Sequence, residues 1–166
     1  MIVDGGPESL EEVLAPVNAL LEANTLLALA VQDNAGCWVA TVFFSYDKDL
    51  NLYFISDPKT RHGQAIATEP RVAGAIYGSD VRWGTDIQGL QIRGTAERVA
   101  LHDMLPVGAA YLRRFPIATK FIHSPEWFNT SKISSRLYRI RPSQVQLYDE
   151  VTFGSDNPIR RLDFDK

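Results

Sequence analysis

The sequence predicts a mainly β protein, a closed or partly closed antiparallel barrel with peripheral helices. Three observations point there. Segments rich in β-branched and aromatic residues recur between Thr25 and Tyr148. Most are joined by short stretches bearing Asp, Asn and Gly that suit hairpins. Helical spacing is confined to the N-terminal stretch, a short piece after Ser56 and the run from His102 to Phe115.

The first helix is expected over residues 8–23, with Ser9 as its cap and Glu12 as the capping-box partner. Leu10, Val13, Leu14, Val17, Leu20 and Leu21 give it one apolar face, and Pro16 within it marks a kink or a later start. The barrel is expected over residues 25–148. Residues 25–32 and 37–46 read as a hairpin about the turn Asp33-Asn34-Ala35-Gly36, and further strands follow at 50–56, 71–77, 89–100 and 137–148. In residues 89–100, Leu90, Ile92 and Val99 alternate with Gln91, Arg93 and Arg98, the period of a half-buried strand. Pro142 confines its neighbourhood to an edge or a bulge. Residues 149–166 are expected as a tail, and the absence of repeats or a low-complexity linker makes 1–166 one domain.

The chain has 166 residues, 45% hydrophobic and 22% charged, with a net charge of −3. That balance is ordinary for a globular protein and excludes a general nucleic-acid binder, whose affinity rests on an excess of Lys and Arg. The longest apolar runs are too short to span a bilayer, and residues 1–7 lack the basic start and apolar stretch of a signal peptide. A cytoplasmic protein, away from membrane, is expected. One cysteine, Cys37, leaves no intrachain disulfide and reads as a small strand residue.

The chemistry-bearing element is Asp57-Pro58-Lys59-Thr60-Arg61-His62-Gly63-Gln64, between two strands. Asp57 reads as an N-cap, Pro58 as the first helical residue, and Pro70 as the stop. Free backbone N–H groups at a helix start favour an anion. Lys59, Arg61 and the Thr60 hydroxyl fall within the same turn, and cations there are unfavourable without a bound anion. A solvated basic turn paired with Asp57 or Glu69 fits the residues equally well.

The Lys59-Thr60-Arg61-His62 element, the helix end Glu69-Pro70-Arg71-Val72 and the strand Leu90-Gln91-Ile92-Arg93-Gly94 resemble the flavin-binding split-barrel superfamily of pyridoxamine 5′-phosphate oxidase. Within it the chain is similar to a group of small bacterial proteins sharing Lys-Thr-Arg-His, Gln91 to Gly94 and Tyr111-Leu112-Arg113-Arg114-Phe115-Pro116. The resemblance implies a six- to seven-stranded antiparallel split barrel and an FMN cofactor at the interface of a homodimer, serving a flavin-dependent oxidoreductase with a small-molecule substrate. Deazaflavin or haem are the other ligands it allows, as is a module that binds without turnover. Carried over, Lys59, Thr60, Arg61 and His62 hold the phosphate, the backbone near Ala40 and Val42 lies against the ring with Ser56 near it, and Gln88 or Gln91 reaches its polar edge. Where the oxidase has Arg at the start of the ring-contacting strand, this chain has Val39 or Ala40, and the oxidase's C-terminal Trp and Arg signature is missing. Pyridoxamine phosphate oxidation is therefore not expected.

Three further features stay open. Arg113 or Arg114 can sit beside a second anion or simply close a helix end before Pro116. The segment His123-Ser124-Pro125-Glu126-Trp127-Phe128 can cover a ligand or pack onto the barrel. His62, His102 and His123 are too scattered for a metal site, while His62 alone can act as a base or haem ligand.

Overall fold

Ser9 starts the first helix as its sequence demands. In the computed structural model, which describes residues 1–120 and 134–164, the Ser9 side chain accepts from Glu12 N and the Glu12 carboxylate accepts from Ser9 N at 2.8 Å. This capping box opens α1 (Leu10–Ala23). The helix runs on through Pro16, so that residue marks no later start. Val13, Val17, Leu20 and Leu21 are buried in the main core, and that burial offsets the backbone donor Pro16 lacks.

The strands are β1 (Ile2–Asp4), β2 (Leu26–Asp33), β3 (Gly36–Tyr46), β4 (Leu52–Ser56), β5 (Arg71–Tyr77), β6 (Gln88–Arg98), β7 (Arg136–Asp149) and β8 (Ile159–Asp163). All pairings among them are antiparallel. Six close on themselves in the order β4-β3-β2-β5-β6-β7, with β7 pairing back to β4. The remaining two, β8 and β1, extend the sheet from the C-terminal half of β7. Residues beyond 148, expected as a tail, thus supply α4 (Glu150–Phe153) and a paired strand.

Closure is enabled by a bulge where Gly94 faces Pro142 and the β6–β7 register shifts. A Cβ on Gly94 would collide with the Arg141 carbonyl oxygen, which explains the glycine that ends the Gln91 to Gly94 element. Inward residues Leu27, Leu29, Phe44, Phe54, Ile76, Leu90, Tyr138, Ile140 and Leu147 form the core, each nearly inaccessible.

The two ends of the barrel are closed differently. The helix α2 (Arg61–Thr68) buries Ala65 and Ile66 in the core beside the ends of β4 and β6. Helix α1 lies at the other end, where Ala15, Pro16 and Ala19 share a groove with Gln88 and Thr152. A third helix, α3 (Met104–Arg114), covers the outside of β3 and β4 with Met104 and Tyr111 against Tyr53 and Leu137. The outer face of β2 and β5, with the part of β3 beyond α3, has no such cover among the described residues. Leu26, Val39, Phe43 and Tyr77 stand exposed there, at 46%, 59%, 56% and 57% of full accessibility, over small residues such as Ala28 and Ala75. No helix among the described residues is long and apolar enough to cross a membrane.

Candidate functional site

β4 delivers Ser56 to the α2 end of the barrel, and the chain then turns before the helix begins. The Asp57 carboxylate accepts from Lys59 N at 2.8 Å, and the Asp57 carbonyl accepts from both Thr60 N at 3.0 Å and Thr60 Oγ1 at 2.7 Å. The cap of α2 is therefore Thr60, not Asp57, and Pro58 lies in the turn rather than in the helix. Thr60 is extended, and its hydroxyl accepts from Gly63 N at 3.2 Å. Packing decides between the two capping residues. A Cβ at Gly63 would lie 2.8 Å from the Asp57 carbonyl oxygen, so the first helical turn is folded tightly onto the turn before it.

The result is a concentrated donor set. The backbone N–H groups of Arg61 and His62 have no partner among the described residues, as expected for the first helical positions. The Lys59 ammonium is exposed and makes no ion pair among them. Ser56 Oγ lies 2.6 Å from His62 Nε2 and 3.2 Å from Thr60 Oγ1, and Thr60 Oγ1 is 3.2 Å from the same ring nitrogen. His62 is half-buried beside the Phe54 ring, and burial holds its imidazole below the usual histidine range.

Arg61 is already engaged on one edge. Its Nε and Nη2 donate to Asp33 at 2.6 and 3.0 Å, and its guanidinium lies 4.5 Å from the Trp38 ring centroid. The bidentate bond holds the Asp33 carboxyl below its ordinary range and raises Arg61. Of the partners considered for a plain basic turn, Glu69 bonds Arg71 instead and Asp57 serves the backbone. Asp33 and Trp38 at the β2–β3 hairpin belong to this site and escaped the sequence reading. Asp33 was legible only as a turn residue, since nothing local links it to an arginine 28 positions on.

The remaining expected residues lie elsewhere in the chain. Ala40 and Val42 point into the barrel, Val42 being buried, so only their backbone is open to a ligand. Gln88 sits at the α1 end, donating to the buried Asp149 at 2.7 Å. Gln91 is on the outer face of β6 and accepts from Gln146 at 2.6 Å. Along β7, Ser56 stands opposite residue 136, Gln91 opposite Gln146 and Gln88 opposite Asp149. The separations are ten and thirteen residues, roughly 33 and 43 Å along an extended strand. Within one chain, the glutamines and the α2 start do not meet.

A pair of adjoining grooves runs over the uncovered outer face. One is lined by Leu26, Ala28, Thr41, Ala75 and Tyr77, the other by Tyr77, Val81, Ile87, Gln88, Gln91 and Tyr148. Arg114 Nη2 donates to the Leu21 and Asn24 carbonyls at 2.6 and 2.8 Å, closing the C-terminus of α1, and its guanidinium lies 4.9 Å from the Tyr46 ring. Arg113 is exposed. The stretch from His123 to Phe128 lies outside the described residues.

No protein-family model matches the chain. A UPF0306 protein of Enterobacter sp. (strain 638) is 30% identical over 141 residues, spanning 84% of this chain and 90% of that protein. The chain belongs to the UPF0306 family. Another UPF0306 protein, from Klebsiella pneumoniae (strain 342), is 28% identical over 152 residues, covering 90% and 95% of the two chains. Among solved structures, this UPF0306 chain superposes on HutZ, the haem storage protein from Vibrio cholerae, with a TM-score of 0.62 at 16% identity over 77% of this chain and 88% of that one. It is also similar to an FAD-binding protein from Mesorhizobium loti, with a TM-score of 0.59 at 18% identity over 97% and 96%. A haem-binding protein from Mycobacterium smegmatis gives 0.68 at 19% identity, over 95% of this chain and 59% of that one. The chain thus has the split-barrel fold of these structures, the fold that the sequence resemblance implied.

Proposed function

We propose that the protein binds FMN, with its phosphate on the start of α2 and its ring completed by a second copy of the chain, and uses it in redox chemistry on a small molecule. The observation that carries this reading is the donor set. Two N–H groups without a partner among the described residues, Lys59, and an Arg61 Nη1 that bonds none of those residues lie within one turn, with the Ser56 hydroxyl beside them on His62. Such a set suits a dianion better than a solvated turn, because the first-turn cations otherwise oppose the helix dipole. Asp33 keeps Arg61 in place without consuming its outer edge.

The second copy follows from distance. If Gln88 or Gln91 serves the ring's polar edge, it comes from another chain, since one flavin nucleotide does not span from α2 to these residues. The exposed apolar face of β3, β2 and β5 is the surface that such pairing would cover. Bound flavin supplies the hydride and electron chemistry, while the protein orients it and shields it from water. The architecture is shared with haem-binding and FAD-binding proteins, which supports a planar-cofactor site and gives haem as the second reading. For haem, His62 would have to release Ser56.

Titration with FMN, followed by flavin fluorescence and absorbance, tests the reading. Micromolar binding by the wild type and at least tenfold loss in Arg61→Ala and Lys59→Ala support it. A colourless protein that ignores FMN overturns it, and a Soret band on the purified protein replaces it with the haem reading.

A further inference from the structure

We propose that His62 couples ligand binding at this end of the barrel to the uptake of one proton, so that the phosphate meets an imidazolium and a Ser56 hydroxyl freed from the ring. The inference rests on the reading of the α2 start as a phosphate site.

Counting protons in the Ser56, Thr60 and His62 cluster leads to it. The single Thr60 proton is committed to the Asp57 carbonyl at 2.7 Å, and Thr60 Oγ1 already accepts from Gly63 N at 3.2 Å. Thr60 Oγ1 can therefore only accept from Ser56 or His62. With His62 Nε2 unprotonated, the Ser56 hydroxyl donates to it at 2.6 Å, the shortest link in the cluster, and has nothing left for a ligand. With Nε2 protonated, in the neutral Nε2–H tautomer or in the imidazolium, the ring donates to Ser56 Oγ and the Ser56 proton is released from it. An anion at the N–H groups of Arg61 and His62 favours both of these forms by the hydroxyl it gains, and the imidazolium over the neutral tautomer by charge.

The surroundings leave His62 free to respond. Burial holds the ring below the usual histidine range, which favours its neutral form in the absence of an anion. Among the described residues, the charged groups at this end are Asp57 and Lys59 on the turn, Arg61 on α2, and Asp33 on the β2–β3 hairpin. On the strands they are Arg136 at the start of β7 and Glu97 with Arg98 at the end of β6. Asp57 is held by Lys59 N, Asp33 by Arg61, and Glu97 by Arg139. None of these carboxylates forms an ion pair with His62 among the described residues, so the ligand supplies the anion that the ring lacks.

The sign follows from linkage. An anion raises the lowered imidazole, so a proton is taken up between the two values and affinity grows as pH falls through that window. The FMN phosphate loses its second charge near pH ~6, which weakens binding to any variant, so the ratio of wild type to His62→Gln isolates the effect. Glutamine offers a neutral donor to Ser56 and does not titrate.

FMN titrations of both proteins from about pH 8 to about pH 5.5 test the inference. The ratio of affinities is expected to rise threefold to tenfold across that range, one proton allowing at most about tenfold per pH unit. The protein has three histidines, so the His62 ring proton can be assigned by NMR from its loss in His62→Gln. Its titration is expected to move upward when inorganic phosphate or FMN is added. A ratio that stays flat, or a His62 titration unmoved by bound FMN, overturns the coupling while the phosphate site stands. Absence of binding by the wild type at every pH overturns the site and the coupling with it.

Discussion

Replacing Arg114 with methionine separates the two accounts of the Tyr111 to Pro116 element. If Arg114 closes α1, the change removes charged hydrogen bonds to the Leu21 and Asn24 carbonyls at 2.6 and 2.8 Å. Each is worth about 1.5–3 kcal/mol. The contact with Glu22, whose carboxylate is 76% exposed, adds little. Stacking on Tyr46 at 4.9 Å adds about 0.5–1 kcal/mol. Against these stands the cost of burying a guanidinium whose Nε has no partner among the described residues. Methionine keeps the apolar stem, so a net loss of about 3 kcal/mol is expected, or about 6–12 °C in Tm for a chain of this size. Urea unfolding followed by far-ultraviolet circular dichroism reads it, with the exposed Arg113→Met as a control expected within about 0.5 kcal/mol. An Arg114→Met protein as stable as the wild type refutes the reasoning, and loss of phosphate binding without loss of stability establishes the second-anion account instead.

Gly94→Ala is expected to destabilise by more than about 2 kcal/mol, because the added carbon meets the Arg141 carbonyl at a fixed bulge; thermal melting checks it. Tyr53 donates to Asp47 at 2.8 Å, and burial with that carboxylate pushes its phenol up to about 12. Since the folded value lies above the unfolded 10.0, the stabilisation is complete below pH 10 and lost as pH rises through 12. Tyr53→Phe is expected to cost about 1 kcal/mol at neutral pH and to flatten the alkaline limb of the stability curve. An unchanged alkaline limb contradicts the assignment.

Much of the barrel was legible because its signals are local. The Ser9 capping box, the Asp33–Gly36 hairpin turn and the alternation around Leu90 and Ile92 each rest on neighbouring residues, and each holds. The bulge at Pro142 followed from its missing donor. What stayed hidden depends on contacts across the chain. Asp57 and Thr60 are both good caps, and only the fit of Gly63 against the Asp57 carbonyl chooses Thr60. Strand β8 carries Arg160, only 3% exposed because Glu8 and two carbonyls satisfy it, a pattern that reads as a polar tail in isolation. The candidate site divided in the same way. Ser56, Thr60, Arg61 and His62 come together because they are close in sequence. Asp33 joins them only through the fold, and Gln88 is carried to the opposite end by the antiparallel course of β6.

The central claim is that the start of α2 holds the phosphate of a flavin nucleotide, and comparing FMN with riboflavin tests it most directly. Both share the ring, so any difference in their affinity belongs to the phosphate. Two or more charge-assisted bonds at about 1.5–3 kcal/mol each predict at least a hundredfold preference for FMN. That preference should collapse in the Lys59→Ala, Arg61→Ala double variant, read by quenching of flavin fluorescence. Equal affinity for FMN and riboflavin, or a preference that survives the double variant, would contradict the account.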